Sequence, residues 1–184
     1  MAILQTARLR LIPLSVDALA ALLIPGTDVP EGMGAAIGPD LVDSPAERAI
    51  RIKLEKMADA PPEDHVWWTY WLAIECSSNR AIGLLGFKGL PKGGTVEIGY
   101  GIVPSARGRG FATEAAERLI EWANSEPRCT GIIAVGVAPG NRPSERVLEK
   151  LGMELVRRSE TGSDWKLEGR SLTGRGTRDR LEAA

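Results

Sequence analysis

Val103-Pro-Ser-Ala-Arg-Gly-Arg-Gly-Phe-Ala-Thr-Glu-Ala-Ala-Glu-Arg-Leu-Ile120 is the stretch of sequence from which the fold can be inferred. An apolar strand runs into a basic, glycine-rich turn that opens directly into a helix. The first N–H groups of a helix lack intrahelical partners, and the helix dipole adds positive charge there, so anions bind at such ends. Gly108 and Gly110 let a ligand approach the backbone, and Arg107 and Arg109 add donors suited to phosphate. The pattern predicts an anion-binding turn.

The helix that follows the turn is amphipathic, with small and apolar residues recurring at helical spacing along one face. Two known phosphate loops do not fit: no Gly-Lys-Ser/Thr follows the turn, and Thr113 stands where a dinucleotide-binding loop has Gly or Ala. A tight strand-to-helix connection with solvated arginines is the simplest alternative. The predicted buried face consists of Ala112, Ala115, Ala116, Leu119, Ile120 and Ala123.

Composition narrows the class of protein. The chain has 184 residues, 43% of them hydrophobic, and a net charge of −1, which predicts one globular domain over residues 1–170 and a polar tail over 171–184. Nothing in this charge attracts nucleic acid or an anionic membrane. With two cysteines and one histidine there is little from which to build a disulfide framework, a metal site or a Ser-His-Asp triad. We expect a metal-free, cytoplasmic protein.

The remaining elements follow from periodicity and capping signals. Ser15 predicts a helix N-cap, and Ser44-Pro-Ala-Glu47 is a capping box that predicts a helix with Pro45 at its first position. Residues 25–43 predict a loop. The predicted strands are 7–13, 66–75, 81–88, 95–103, 131–137, 154–160 and 164–168, and the predicted helices are 15–23, 44–60, the one after the glycine turn, and 143–151.

Four motifs in this order resemble those of the GNAT N-acetyltransferases. Arg107-Gly-Arg-Gly-Phe-Ala112 is similar to the family's Arg/Gln-x-x-Gly-x-Gly/Ala signature, and Asn141-Arg-Pro-Ser144-Glu-Arg-Val-Leu-Glu-Lys-Leu-Gly152 is similar to a motif of its RimJ/RimL branch. Thr6-Ala-Arg-Leu-Arg-Leu-Ile-Pro-Leu14 and Glu97-Ile-Gly-Tyr100 are the other two. The resemblance covers about residues 6–169. It implies a mixed α/β fold in which a mixed sheet, flanked by helices, splays between its fourth and fifth strands, here 95–103 and 131–137.

The resemblance also implies a cofactor and a site. Acetyl-CoA, as co-substrate, would enter the splayed sheet with its pyrophosphate on the glycine turn, and no metal is implied. The cofactor-binding residues implied are Ile102, Val103, Arg107, Gly108, Arg109, Gly110, Ala112, Thr113 and Asn141, and the catalytic candidates are Glu97 and Ser144.

Glu97 is the first candidate for a general base. Alternation along its strand sets it on one face with Gly99 and Gly101, which leave room for a ligand, while Val96 and Ile98 fall on the other face. A carboxylate there can take a proton from an amine, directly or through water. The alternative is an ion pair between Glu97 and a cross-strand arginine.

Asn141 and Ser144 begin the helix after the fifth strand. The resemblance implies that Asn141 binds the pantetheine arm and that Ser144 donates a hydrogen bond to the departing sulfur. The alternatives are that Asn141 is a helix cap and that Ser144 is an ordinary first-turn serine. Many relatives use a tyrosine as acid here, but no tyrosine follows Tyr100. Trp67 and Trp71 share one strand face and Trp68 and Tyr70 the other, and one pair is expected to line the acceptor cleft.

The sequence therefore predicts an N-acetyltransferase that moves an acetyl group directly to a primary amine, protein N-terminal or small-molecule, in a ternary complex. The alternative is a non-catalytic acyl-CoA-binding or sensing module of the same fold. Beyond the amine acceptor we expect neither nucleic acid nor membrane as a partner, and a homodimer stays open.

Overall fold

The computed structural model of the chain describes residues 3–24 and 34–169. These residues form eight strands and five α-helices. In chain order they are β1 Leu4–Gln5, β2 Leu9–Pro13, α1 Val16–Ala21, α2 Ser44–Asp59, α3 His65–Trp68, β3 Tyr70–Glu75, β4 Arg80–Phe87, β5 Thr95–Ile102, α4 Phe111–Ser125, β6 Gly131–Val137, α5 Arg142–Lys150, β7 Glu154–Ser159 and β8 Gly162–Glu168.

The strands form one mixed sheet in the order β1-β2-β3-β4-β5-β6-β8-β7. Every neighbouring pair is antiparallel except β5 and β6. Those two strands pair only from Thr95 to Glu97 on one and from Gly131 to Ile133 on the other, and then separate. The α/β fold class and the predicted splay between these strands are confirmed, and the gap opens toward the glycine turn.

Two hydrophobic cores cover the two faces of the sheet. On one face the apolar side of α4 packs on the central strands, with Leu119, Ile120 and Ala123 against Val96 and Ile98. On the other, α1 and α2 cover β3 and β4, with Leu19 and Ile50 near Leu72 and Leu84. The sheet thereby holds β5 with one side against α4 and the other toward the α2 side.

The start of the aromatic strand was predicted wrongly. Residues 66–68 belong to α3, which begins at His65, and β3 begins only at Tyr70. Valine and tryptophan favour strands, but this preference yields to packing. The helical turn buries Trp67 against Phe87 and Trp122, with ring centroids 5.2 and 4.8 Å away.

The predicted cap of α2 is also corrected. Asp43, not Ser44, is the N-cap, and its carboxylate accepts a hydrogen bond from the Ala46 N–H at 2.9 Å. Ser44 is then the first helical residue and Pro45 the second. Asp and Ser are about equally favoured at the N-cap position, so the adjacent residues Asp43 and Ser44 were both candidates for it. Ser15 caps α1 as predicted, accepting from the Ala18 N–H at 3.2 Å.

Two predicted segments fall partly or wholly outside the described residues. Of the loop at 25–43, only 34–43 is described, and it contains a short 3-10 turn, Pro39–Leu41. The tail at 171–184 lies entirely outside them. Among the helices described, none has the length and apolar character needed to cross a membrane.

Candidate functional site

A groove of about 380 Å³ lies between the glycine turn and α5. The turn and the first residues of α4 form one wall, and one face of α5 forms the other. Its lining consists of Ile102, Ala106, Arg107, Gly108, Gly110, Ala112, Thr113, Pro143, Arg146, Val147 and Lys150.

The turn has the backbone that an anion site requires. Gly108 and Gly110 adopt left-handed conformations, with φ of +75° and +83°, which are unfavourable for residues other than glycine. Gly110 is the N-cap of α4 and supplies no side-chain cap. The first backbone bond into the helix runs from the Glu114 N–H to the Gly110 carbonyl. The N–H groups before it are therefore available to a ligand in the groove.

The two arginines of the turn have different positions. Arg107 lines the groove, and its Nε donates to the Ile102 carbonyl at 2.8 Å. Arg109 is drawn to the other side, where its Nη2 lies 2.6 Å from Glu75 Oε1 and its guanidinium stacks 4.6 Å from the centre of the Phe111 ring. Only Arg107 of the pair faces the groove.

Positive charge comes instead from α5. Arg146 and Lys150 line the groove together with Pro143 and Val147. The sequence interpretation missed Arg146 and Lys150. The signal was present, because these four positions follow the spacing of one helix face that starts just after Asn141. With Arg107, three cationic side chains border the groove.

Glu97 lies on the opposite face of β5 from the core residues Val96 and Ile98. A Cβ atom added at Gly99 or Gly101 would meet nothing within 4 Å, so this face is open beside the carboxylate. Glu97 forms an ion pair with Lys88 across the antiparallel strand pair. The alternative interpretation expected an arginine; the partner is a lysine.

Asn141 caps α5, and its Oδ1 accepts a hydrogen bond from the Ser144 N–H at 3.3 Å. The Tyr100 hydroxyl donates to the Ser144 carbonyl at 3.2 Å. Burial raises the pKa of Tyr100 to about 12, so this hydroxyl is a hydrogen-bond donor rather than a ready source of protons. Tyr100 alternates with Glu97 along β5, so Ser144 lies on the face of β5 opposite Glu97.

The structure brings part of the predicted set together. Ile102, Arg107, Gly108, Gly110, Ala112 and Thr113 all line the groove. Val103, Arg109 and Asn141 do not: Val103 packs on both cores, Arg109 binds Glu75, and Asn141 caps α5. Glu97 and Ser144, the two catalytic candidates, also lie outside the lining of this groove.

The aromatic residues divide between the two sides of the sheet. Trp67 and Trp71 are buried in the core beside Trp122, while Trp68 and Tyr70 pack on the α2 side. Tyr70 lies opposite Gly86 on β4, which in turn lies opposite Gly99 on β5. Trp68 and Tyr70 are thus the pair on the Glu97 side.

The part of the chain that the structure describes contains no group of three or more His, Cys, Asp or Glu side chains that could hold a metal ion. The single histidine, His65, starts α3, and its Nε2 lies 3.1 Å from the Ala60 carbonyl. That contact joins α3 to the end of α2.

Known proteins share this fold and parts of this sequence. YjdG, an uncharacterized N-acetyltransferase of Bacillus subtilis (strain 168), is 34% identical over 96 residues, which are 52% of this chain and 56% of YjdG. The match thus spans little more than half of that relative. A GNAT-family acetyltransferase structure from Bacillus anthracis superposes with a TM-score of 0.59 at 22% identity, over 91% of this chain and 99% of that one.

A second similar structure is that of a coenzyme A complex. The ribosomal L7/L12 alpha-N-protein acetyltransferase RimL, in complex with coenzyme A, matches with a TM-score of 0.57 at 15% identity, over 91% of this chain and 96% of RimL. At such identities the two structures support the fold. The family model described as acetyltransferase (GNAT) domain matches residues 8–154, most of the chain. The chain therefore belongs to the GNAT acetyltransferase family.

Proposed function

We propose that this protein is an acetyl-CoA-dependent N-acetyltransferase that transfers the acetyl group directly to a primary amine in a ternary complex. The observation that carries the proposal is the groove itself. N–H groups that lack intrahelical partners, at a left-handed glycine turn that also carries Arg107, border a cavity of about 380 Å³, and Arg146 and Lys150 of α5 line its other wall.

The groove suits the phosphates of coenzyme A. The pyrophosphate would accept hydrogen bonds from the backbone around Gly108 and Gly110, where no side chain intervenes. Arg107, Arg146 and Lys150 would neutralise its charge. The pantetheine arm would then run along Ile102 toward the gap where β5 and β6 separate.

The acceptor amine would approach on the open face of β5. Glu97 would take a proton from the ammonium, directly or through water, so that the neutral nitrogen can attack the thioester carbonyl. The C–N bond forms as the C–S bond breaks, and the electron pair leaves with the sulfur of coenzyme A. The second proton of the attacking nitrogen passes to the departing thiolate or to water, which leaves the neutral amide. Hydrogen-bond donation by Ser144, at the start of α5, would stabilise the thiolate as its charge grows.

A protein N-terminus is the acceptor that we favour, because the motifs are RimJ/RimL-like and the name of RimL itself specifies an alpha-N-protein acetyltransferase. An α-amine with a pKa of about 8 is partly neutral near pH 7. A lysine amine has a pKa of about 10.4, so it is more fully protonated and depends more on a general base. A small-molecule amine is the second possibility within this class. We place the reaction in the cytoplasm.

One observation favours the non-catalytic alternative. Glu97 is engaged by Lys88, and a binding or sensing module would need no free carboxylate. Such a module would still bind coenzyme A in the groove but would release no thiol with any amine.

The test of cofactor binding compares two glycines. Gly108 and Gly152 have nearly the same φ, +75° and +77°, and a Cβ at either meets nothing within 4 Å, but only Gly108 lines the groove. Gly108→Val should weaken coenzyme A binding at least tenfold by calorimetry, about 1.4 kcal/mol. Gly152→Val should carry the same backbone strain and leave the affinity unchanged. Equal affinities in the two variants would refute the groove as the cofactor site.

Catalysis needs a second measurement. Thiol release from acetyl-CoA would be followed with a panel of N-terminal peptides and small amines. Acceptor-dependent release identifies the enzyme and its acceptor class. Tight binding without release by any amine would favour the sensing module.

A further inference from the structure

The Thr6-Ala-Arg8 motif at the corner between β1 and β2 lies beside the glycine turn, although it lines no part of the groove. Three hydrogen bonds join it to Glu114 in the first turn of α4. The Thr6 hydroxyl and the Arg8 N–H reach Oε1 at 2.6 and 3.0 Å, and Arg8 Nε reaches Oε2 at 2.6 Å. A second guanidinium nitrogen of Arg8 lies 2.5 Å from the same Oε2.

These contacts act on a carboxylate that is mostly shielded, since the Glu114 side chain is 19% exposed. Burial alone would raise the pKa of Glu114, but the hydrogen bonds from Thr6 and Arg8 outweigh it and hold that pKa below its usual range. Two guanidinium nitrogens of Arg8 meet the same carboxylate oxygen, Oε2, while the Thr6 hydroxyl and the Arg8 N–H bind Oε1, so both oxygens of Glu114 are held.

The same guanidinium also holds the turn. Arg8 Nη1 donates to the Arg109 carbonyl at 3.0 Å. In a planar trans peptide the carbonyl and the following N–H point in opposite directions, so this bond directs the Gly110 N–H away from Arg8. Gly110 lines the groove, and Arg8 lies behind it, 3.5 Å from the position of an added Cβ.

Phe111 completes the arrangement. Its ring is buried, 2% exposed, and the guanidinium carbons of Arg8 and Arg109 lie 4.5 and 4.6 Å from its centre. Arg109 is in turn held by Glu75. The Arg109–Gly110 peptide is therefore held by Arg8 at its carbonyl, and the Arg109 side chain is held by Glu75 of β3.

We propose that Arg8 is a positioning residue that fixes the Arg109–Gly110 peptide and the first turn of α4, so that the backbone N–H groups of the turn face the groove. The role of these N–H groups as pyrophosphate ligands rests on the proposed function. Fixing the donors beforehand raises affinity, because less conformational freedom is lost on binding.

Two measurements test this role, with Arg8→Met compared against Arg118→Met. Arg118 is a matched control because it also joins α4 to the β1 edge, through the Gln5 carbonyl at 3.2 Å, without touching the turn. Arg8→Met should raise the dissociation constant of coenzyme A at least tenfold. In the ligand-free protein it should lower the NMR order parameter of the Gly110 amide from about 0.85 to below about 0.6. Arg118→Met should change neither.

Arg8→Lys separates positioning from stability. A lysine can pair with Glu114 but lacks the planar fork that reaches the Arg109 carbonyl at the same time. We expect it to restore the melting temperature and to leave the coenzyme A affinity reduced. An Arg8→Met protein with the wild-type Gly110 order parameter would overturn the positioning role. If wild-type protein fails to bind coenzyme A, the proposed function fails, and the order parameter still decides the role of Arg8.

Discussion

Glu97 is the residue whose assignment separates enzyme from binding module. Its carboxylate is paired with Lys88, so it is either a base held ready by a cation or one half of a structural ion pair. Glu97→Gln should lower kcat by about 10²–10⁴ and keep the affinity for acetyl-CoA, because the amine loses its proton acceptor. Steady-state kinetics with the acceptor identified by thiol release, together with calorimetry, measure both quantities.

Lys88→Met provides the matched control for Glu97. It breaks the same ion pair but leaves the carboxylate in place. If Glu97 is the base, Lys88→Met should retain turnover within about tenfold while Glu97→Gln loses far more. If the pair is only structural, the two variants should lose the same activity and the same stability, and Glu97 would no longer be a catalytic candidate.

At the scale of single residues, the features that can be predicted from the sequence are those that depend only on neighbouring residues in the chain. The left-handed glycines of the turn and the alternation of Glu97 with Gly99 follow from neighbouring residues alone. The partner of a charged residue does not: Arg109 pairs with Glu75, 34 positions away, and Arg8 with Glu114, 106 positions away. Two arginines that look equivalent in the turn therefore separate, one facing the groove and one facing Glu75.

At the scale of elements, α5 carries the next prediction. Asn141 caps this helix, so Asn141→Ala should lower the free energy of unfolding by about 0.5–2 kcal/mol whatever its role in catalysis. Asn141→Asp keeps a capping oxygen and loses the amide donor. If the amide orients the pantetheine arm, both variants should raise the KM for acetyl-CoA, but only Asn141→Ala should be destabilised.

Ser144→Ala completes this series on α5. A hydrogen bond that strengthens only as negative charge grows on sulfur affects kcat and not KM. We therefore expect Ser144→Ala to lower kcat with the KM for acetyl-CoA unchanged. Melting curves on all three variants give the stability. Kinetics unchanged in the folded fraction of each variant would make this helix terminus a scaffold only.

Elements were predicted well where one periodicity persisted, as in α4 and β6, and poorly where two signals met. In residues 66–75 the strand-favouring composition concealed α3, because burial of Trp67 beneath α4 is a tertiary effect. In α2 the buried face consists of Ile50, Met57 and a lysine, Lys53. No pattern of apolar residues predicts that a lysine will be buried there.

At the scale of the whole molecule, Lys53 ties α2 to the sheet. Its ammonium donates to the carbonyls of Trp68, Thr69 and Phe87 at 2.8, 3.4 and 2.6 Å. The residue is 7% exposed, and its Nζ lies 4.6 Å from the centre of the Tyr70 ring. One side chain thus joins α2, α3 and the end of β4 on the face that carries Glu97.

Lys53 also predicts how stability depends on pH. Burial, with a smaller contribution from the charge of Lys88, lowers the pKa of Lys53 from 10.5 to about 7. Between these values the unfolded chain binds more protons than the folded protein, so the free energy of unfolding rises with pH. The destabilisation that results from burying the charged Lys53 is fully present below about pH 7. It is lost as the pH rises toward 10.5, the pKa of this lysine in the unfolded chain.

The measurement is urea unfolding of the wild type and Lys53→Met at pH 7 and pH 9. The upper pH stays below the titration of Tyr70, whose pKa burial and, to a lesser extent, Asp43 raise. Relative to Lys53→Met, the wild type should gain about 1–3 kcal/mol between the two pH values. Lys53→Arg, which remains charged at both, should show no such gain. If wild type and Lys53→Met have parallel pH dependences, Lys53 keeps an ordinary proton affinity, and the three carbonyls that surround its ammonium fully offset its burial.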